Sequence, residues 1–236
     1  MGNRYILKSP CESSMDTVEY VKSNLKKMGN INEFKAFFDE DHEYVEVVDG
    51  YKHSYNLILL DDEDTEFWLY SNCGYSGTGP CNTSEILQLV GLRDDYGVFE
   101  KKYIHEYDLE VNNDLNILVV EEDYGDTYKI NFMGELKFDN AADRYSLMES
   151  LKVLGYMQNL DVDDIRFNKY YINTDIDRSY GEYKINQILF LDKPLRNKNS
   201  KETKNLLEHI FKKYCDNINI IEINCVIEDK YYEEIE

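Results

Sequence analysis

The sequence predicts an α+β fold, or a mixed α/β one, in which a mixed, largely antiparallel sheet carries about four to five helices. Short apolar runs that end at acidic or glycine-containing turns are typical of strands, and they recur along the chain. Between them lie segments whose apolar residues repeat every three or four positions, as on one face of a helix. At 236 residues, 42% of them hydrophobic, the chain is long enough to bury a core without disulfides or metal.

Two helices and three strands are predicted ahead of a glycine-rich loop. Asp16 is placed to cap the first helix. Asn30, with Glu33 three residues later, has the spacing of a capping box, so a short second helix is expected there. Its buried face would consist of Ile31, Phe34 and Phe38. The acidic stretch 61–64 predicts a hairpin turn between two of the strands. The strand-like runs are 44–48, 55–60 and 67–70.

Three further helices and six strands are predicted after the loop. The helices are 83–90, ended by Gly91, 141–154, ended by Gly155, and 201–214, capped by Ser200. The strands are 102–107, 116–120, 128–133, 167–172, 187–191 and 218–227. The face of the last strand that is expected to be buried carries Ile221, Ile223, Cys225 and Ile227.

The chain is expected to form a single domain, residues 1–236, because no Pro-, Gly- or Ser-rich linker divides it. The alternative is two related halves, 1–110 and 111–236, each with a ββα unit. The runs 56–60 and 116–120 are each followed by acidic residues, a second strand, and a helix that precedes a glycine. Chance similarity between two ordinary ββα units explains the same pattern, and the sequence leaves both explanations open.

Acidic side chains dominate the chain, with 47 Asp and Glu against 26 Lys and Arg and a formal net charge of −21. Such a charge repels bare nucleic acid and steers a protein toward positive partners. No apolar run approaches the roughly 20 residues that span a bilayer, and no export signal is recognised. The five cysteines lack CxxC spacing, which favours a reducing compartment. We therefore expect a cytoplasmic protein of a bacterial cell or a phage-infected host, without membrane contact.

The best local motif is the stretch 72–83, which follows a predicted strand and opens a predicted helix. Glycines let a backbone approach a ligand closely, and a helix N-terminus presents free N–H groups to an anion. The stretch does not follow GxGxxG, the P-loop or the GxSxG elbow. A structural turn, a loop for a small anionic ligand and a partner contact all stay open. The candidate ligand-binding residues are Ser76, Gly77, Thr78, Gly79, Asn82 and Thr83.

No catalytic residue, metal site or cofactor is predicted. The four histidines form no compact zinc motif. Cys73 and Cys81 flank the glycines, but lone intracellular cysteines are more typical of packing than of catalysis. The carboxylate clusters at 161–164 and 175–177 do not match the calcium-binding loop.

The first functional hypothesis is a non-enzymatic, acidic binding or inhibitor protein that neutralises a basic, nucleic-acid-directed protein partner. Toxin-immunity proteins and phage anti-defence proteins work by this charge logic. The alternative is a nucleotide- or anion-binding protein or enzyme that uses the loop 77–83 at a helix N-terminus. A structural subunit of a larger assembly is a third possibility. The residues expected to contact a basic protein are Asp61, Asp62, Glu63, Asp64, Glu121, Glu122, Asp123 and Tyr75.

Overall fold

A computed structural model describes residues 5–93, 95–123, 127–159, 185–192 and 200–228. The α+β class is confirmed, since the described strands form mixed, mostly antiparallel sheets accompanied by four α-helices. These strands are divided among three sheets, two of five strands and one of two. The chain separates into two compact units, Met1–Asn112 with Asn140–Ala142, and Asn113–Asp139 with Asp143–Glu236. The strand expected at 167–172 lies outside the described residues.

The first unit contains seven strands, two α-helices and a short 3₁₀ helix among its described residues. The strands are β1 (Tyr5–Lys8), β2 (Ile31–Phe37), β3 (Val45–Val48), β4 (Tyr51–Ser54), β5 (Leu57–Asp61), β6 (Thr65–Leu69) and β7 (Tyr103–Tyr107). The helices are α1 (Ser14–Asn24), continued by the 3₁₀ helix Leu25–Lys27, and α2 (Thr78–Leu89). Five strands form a sheet in the order β1-β6-β5-β2-β7, in which only β1 and β6 are parallel, while β3 and β4 pair separately.

One face of this five-stranded sheet supplies core residues at alternate positions. Leu57 and Leu59 on β5, and Phe67 and Leu69 on β6, are fully buried. The two helices contact each other and each buries one stripe. The buried helical residues include Val18 and Val21 in α1 and Ile86 and Leu87 in α2. Burial of each such side chain stabilises the unit by about 1.5–3 kcal/mol.

The short helix predicted at 31–38 is wrong, because this segment is the strand β2, which pairs with both β5 and β7. A β-bulge between Ile31 and Glu33 turns Ile31 and Phe34 to the same buried side. Two inward residues three positions apart mimic a helical face in the sequence. Phe38, the third residue of that predicted face, is 38% exposed.

Helix boundaries also differ from the expected ones. Ser13, not Asp16, caps α1, because its side chain accepts a hydrogen bond from the backbone N–H of Asp16 at 3.1 Å. The helix predicted from Thr83 begins five residues earlier, at Thr78, and so includes part of the glycine-rich loop. Gly155 opens a strand, where a side chain would collide with the backbone of Phe190.

The second unit combines five strands with two helices among its described residues. The elements are β8 (Asp114–Asp123), β9 (Thr127–Lys137), α3 (Ala141–Leu151), β10 (Gly155–Asn159), β11 (Gln187–Leu191), α4 (Ser200–Phe211) and β12 (Asn217–Glu228). The sheet order is β10-β11-β8-β9-β12, and only β11 and β8 are parallel. Leu147 and Leu151 of α3 and Leu207 and Phe211 of α4 pack on one face of this sheet. On β12, Ile218 and Ile220 pack against the core cluster that contains the helices. Ile221 and Ile223 pack against the core cluster on the opposite face of the sheet, so both faces of β12 are half-buried.

The hairpin–helix order recurs in the two units with a difference in strand direction. In the first unit the hairpin is β5–β6 and the strand after the helix is β7, which is separated from β5 by β2. In the second unit the hairpin is β8–β9 and the strand after the helix is β10, which is separated from β8 by β11. The pairings make β7 run in the direction of β5, whereas β10 runs opposite to β8. The duplication of a ββα unit therefore stays a prediction, as does the single domain.

Candidate functional site

The glycine-rich loop leads into the N-terminus of α2. Gly77 is the N-cap residue and makes no side-chain capping bond. Thr78 and Gly79 form the first turn with Pro80. Proline is tolerated here because the N–H groups of a first helical turn make no hydrogen bond within the helix. Ser76 is exposed. Four of the six predicted ligand residues thus lie at the entrance to the helix.

The other two predicted ligand residues, Asn82 and Thr83, are buried inside α2 and are used within the fold. The Thr83 hydroxyl donates to the carbonyl of Asn72 at 2.7 Å, and the amide of Asn82 donates to the Ser14 hydroxyl at 2.8 Å. The Ser71 hydroxyl donates to the carbonyl of Gly79 at 3.0 Å. The bonds of Thr83 and Ser71 tie the preceding loop to α2, and the bond of Asn82 ties α2 to the start of α1.

The glycines make room for the side chains of Tyr75 and Asn72. A Cβ at Gly77 would collide with the Tyr75 ring, and one at Gly79 would collide with Asn72 Oδ1. The Tyr75 hydroxyl donates to the same Oδ1 at 3.1 Å, which fixes both side chains over the helix entrance. Close packing therefore accounts for the glycines at these two positions.

A pocket of about 280 Å³ opens beside this loop. Three aromatic rings line it, those of Phe38, Tyr70 and Tyr75, each 37–38% exposed. Among the described residues that line it, Glu40 is the only charged one. Lys102 Nζ, which does not line the pocket, lies 4.8 Å from the centre of the Phe38 ring. We call this the Glu40 pocket.

The predicted acidic hairpin turn between β5 and β6 divides into one buried and three exposed carboxylates. Asp61 is 1% exposed and accepts backbone hydrogen bonds from Gly29, Glu63 and Thr65 at 2.8–3.0 Å. It therefore holds the turn in place. Asp62 accepts from the backbone N–H of Asn30 at 2.9 Å. The exposed acids 62–64 form what we call the acidic turn.

The second predicted acidic group lies at the end of β8 in the other unit. Glu121 is 9% exposed, and its Oε2 lies 3.8 Å from Lys129 Nζ. The side chains of Glu122 and Asp123 lie outside the described part of the chain. A partner contact at these residues stays a prediction.

A surface that the sequence did not single out runs along β7, the last strand in the order of its sheet. Tyr103, His105 and Tyr107 share one face of this strand, and the two tyrosines are 54% and 69% exposed. We call these three residues the β7 aromatic stripe. Their spacing of two was visible in the sequence, but which face lies open depends on where the helices pack.

The stripe is anchored to the neighbouring strand β2. The rings of Tyr103 and Phe37 lie 5.2 Å apart, and His105 Nε2 lies 2.9 Å from Glu33 Oε1. Burial alone would raise the pKa of Glu33, but hydrogen bonds from His105 and Lys35 outweigh it, so the pKa lies below its usual range.

Exposed carboxylates flank both ends of the stripe. Tyr103 pairs with Phe37 on β2, and the exposed acids 39–41 follow Phe37 after one intervening residue, Phe38. At the other end of the stripe, Tyr107 pairs with Glu33 of β2. Ile31, at the start of β2, pairs with Asp61, which directly precedes the acidic turn. Two strand spacings, about 10 Å, separate β7 from β5. Exposed acids therefore lie near both ends of the stripe, and two exposed lysines, Lys101 and Lys102, directly precede Tyr103.

Cys73 is unsuited to be a nucleophile, because burial raises the pKa of its thiol to about 11. Among the described residues, no three His, Cys, Asp or Glu side chains form a group that could hold a metal ion. No helix in the described ranges is long and apolar enough to cross a membrane. Comparisons with protein-family models, with curated proteins and with solved structures find no match to this chain.

Proposed function

We propose that this chain is a non-enzymatic, acidic binding protein that neutralises a basic protein partner of the nucleic-acid-directed kind. The observation that carries the proposal is the β7 aromatic stripe with exposed carboxylates at both ends. A protein with a net charge of −21 could cover the basic surface by which its partner binds nucleic acid, as in toxin immunity and phage anti-defence.

The two parts of this surface have different energetic roles. Tyrosines such as Tyr103 and Tyr107 offer large apolar area with a polar tip at a low cost in side-chain entropy, and tyrosine is enriched among residues that dominate binding energy. The rim carboxylates act mainly on the rate of encounter, because exposed charges are screened and contribute little to final affinity. Affinity is thus assigned to the stripe and steering to the acids.

Direct binding of nucleic acid does not fit the same surface. Aromatic side chains on a sheet can stack on bases, but such sites combine them with cations that neutralise phosphates. Here the exposed acids near both ends of the stripe outnumber the two exposed lysines that precede it, Lys101 and Lys102. The alternative of an anion-binding protein meets a similar objection at the loop 77–83, because Glu40 lines the pocket beside this loop.

The test is a parallel capture of partners from the native host with three tagged forms of the chain. Wild type and Tyr51→Ala, whose exposed tyrosine lies on β4 and is not part of the stripe, are expected to enrich the same basic protein. The double variant Tyr103→Ala/Tyr107→Ala is expected to lose it. A wash at about 500 mM salt should reduce the yield of the first two forms, since the Debye length falls to a few ångströms.

A fourth form separates steering from affinity. Glu63→Gln/Asp64→Asn is expected to lower the association rate for the purified partner several-fold and leave its dissociation rate unchanged. Glu12→Gln/Asp49→Asn is the matched control, because both acids are exposed and Asp49, like Asp64, has a positive φ. An acidic partner, or one that the stripe variant retains, would overturn the proposal. Adding the chain should also release the partner from its nucleic acid.

A further inference from the structure

We infer that the Glu40 pocket binds the cationic end of a lysine or arginine side chain that the partner supplies. This inference rests on the proposed function, since it assigns one anchor of a basic partner to a defined place. The pocket lies beside the acids 39–41 that flank the β7 aromatic stripe. Its volume of about 280 Å³ suits one long side chain rather than a folded element.

The aromatic walls fit a cation. An ammonium or guanidinium group over the face of a Tyr or Phe ring is attracted by about 0.5–1 kcal/mol at an exposed site, and by more when water is excluded. Phe38 is already in contact with Lys102 Nζ at 4.8 Å, so the rings of Tyr70 and Tyr75 are the walls left for a cation from the partner. Phe38 and Tyr75 are themselves in edge contact, with centroids 6.0 Å apart, which places two walls of the pocket together.

The charges of the pocket favour the same ligand. Glu40 carries a full negative charge, and Asp39 and Asp41 are exposed on either side of it. The N-terminus of α2 opposes a cation, but its partial charge amounts to about half a unit. Two lysines oppose a cation as well, because Lys102 Nζ lies 4.8 Å from the centre of the Phe38 ring and Lys52 Nζ donates to the Glu40 carbonyl at 3.3 Å. The three carboxylates outnumber these lysines, so an alkylammonium or guanidinium group is favoured over a phosphate or carboxylate.

Small probes test the pocket without the partner. Nα-acetyl-lysine methylamide and Nα-acetyl-arginine methylamide are titrated into the ¹⁵N-labelled chain, with the norleucine analogue as the neutral control and inorganic phosphate as the anion. We expect the two cationic probes to shift the backbone amides of Tyr75, Thr78 and Gly79, and the norleucine analogue to bind more weakly. Equal binding of norleucine, or phosphate as the tighter ligand, would overturn the inference.

Two variants locate the interaction. Glu40→Gln is expected to weaken the cationic probes by up to about fivefold, the upper range for an exposed ion pair, and to abolish their advantage over norleucine. Tyr70→Leu, which keeps the apolar bulk, should weaken them similarly. Glu110→Gln removes the same charge from an exposed position outside the pocket and should have no effect. Unchanged probe binding in Glu40→Gln contradicts the assignment.

The outcomes separate this inference from the proposed function. If the captured partner depends on the stripe but the probes do not bind, the pocket assignment fails and the function stands. If the probes bind as expected but the partner is not basic, the function fails and the pocket is a site for a free amine. A spermidine arm in the titration identifies that case, because the free polyamine would then bind more tightly than the lysine probe.

Discussion

Tyr103 on β7 and Phe37 on β2 are register partners whose rings lie 5.2 Å apart at an interplanar angle of 38°. Phe37 in turn contacts His42 and Tyr44, so the exposed stripe continues into a half-buried aromatic group. This contact holds Tyr103 in place before any partner arrives. A side chain that is already ordered loses less entropy on binding, which favours it as an anchor.

Tyr103→Ala is therefore expected to lower the free energy of unfolding by about 0.5–1.5 kcal/mol more than Tyr107→Ala, because only Tyr103 packs on another full aromatic ring of β2. Urea denaturation of the two single variants measures the difference. Tyr51→Ala, at a 74% exposed position, sets the baseline for an unsupported tyrosine. Equal losses at Tyr103 and Tyr51 would mean that the Phe37 contact contributes nothing.

Asp61→Asn is expected to destabilise the first unit by about 2–4 kcal/mol. The carboxylate accepts three backbone N–H groups while almost fully buried, and an amide offers a single oxygen in its place. Chemical denaturation measures the effect, with Glu63→Gln as the control in the same turn, since its side chain is exposed. A loss as small as that of Glu63→Gln would show that the turn forms without this carboxylate.

Gly79→Ala is expected to destabilise the protein, although alanine in a helix is ordinarily favoured over glycine by about 1 kcal/mol. The reversed sign follows from the collision of the new Cβ with Asn72 Oδ1. Removal of that oxygen in Asn72→Ala/Gly79→Ala should restore part of the loss, so the two changes are non-additive in a double-mutant cycle. Additive effects would place the strain elsewhere.

The sequence predicted the elements whose signal is local and missed those that depend on packing. The strand β11 was predicted with its observed bounds, because a short apolar run there stands between polar residues. For β2 the bulge at Ile31 and Glu33 broke the alternation, and the apolar spacing indicated a helix. The bulge is favoured by pairing with two neighbouring strands, which a local pattern does not contain.

The candidate surfaces show the same difference between features with a local sequence signal and features that depend on packing. The acidic turn was visible as four consecutive acids, but the burial of Asp61 was not, since it depends on the backbone of Gly29, 32 positions away. The Glu40 pocket draws its walls from segments around Phe38, Tyr70 and Tyr75, which come together only in the folded sheet. The glycine-rich loop is the one wall of the pocket that the sequence indicated as a candidate site, and the small ligand expected there was an anion.

Stability is expected to fall as pH drops below about 6.5, and His42 is one cause. Burial lowers the pKa of this ring, and its Nδ1 accepts a hydrogen bond from the backbone N–H of Tyr44 at 3.2 Å, which protonation would break. Because the folded pKa lies below the unfolded one, this contribution is present above pH 6.5 and is lost as pH falls toward the folded pKa. His42→Asn keeps an acceptor without titrating.

Thermal unfolding of His42→Asn and wild type between pH 7.5 and 5 measures this contribution as a difference in slope. The variant is expected to lose less stability over the range, whatever its stability at pH 7.5. His209→Asn, at an exposed position on α4, is the control for a histidine-to-asparagine change outside the core. Parallel curves for His42→Asn and wild type would exclude this ring as a source of the pH dependence.

Lys102→Met is expected to strengthen binding of the lysine and arginine probes to the Glu40 pocket, by about twofold. The ammonium of Lys102 lies over the Phe38 ring and repels a second cation nearby, whereas the thioether of methionine keeps contact with the ring without charge. The neighbouring Lys101→Met makes the same change in net charge at an exposed position that does not contact this ring, and it should alter probe binding less. An anion site would respond in the opposite direction, with phosphate binding weakened by loss of the cation. The sign of the Lys102→Met effect therefore decides between the two ligand classes, even if both variants change stability.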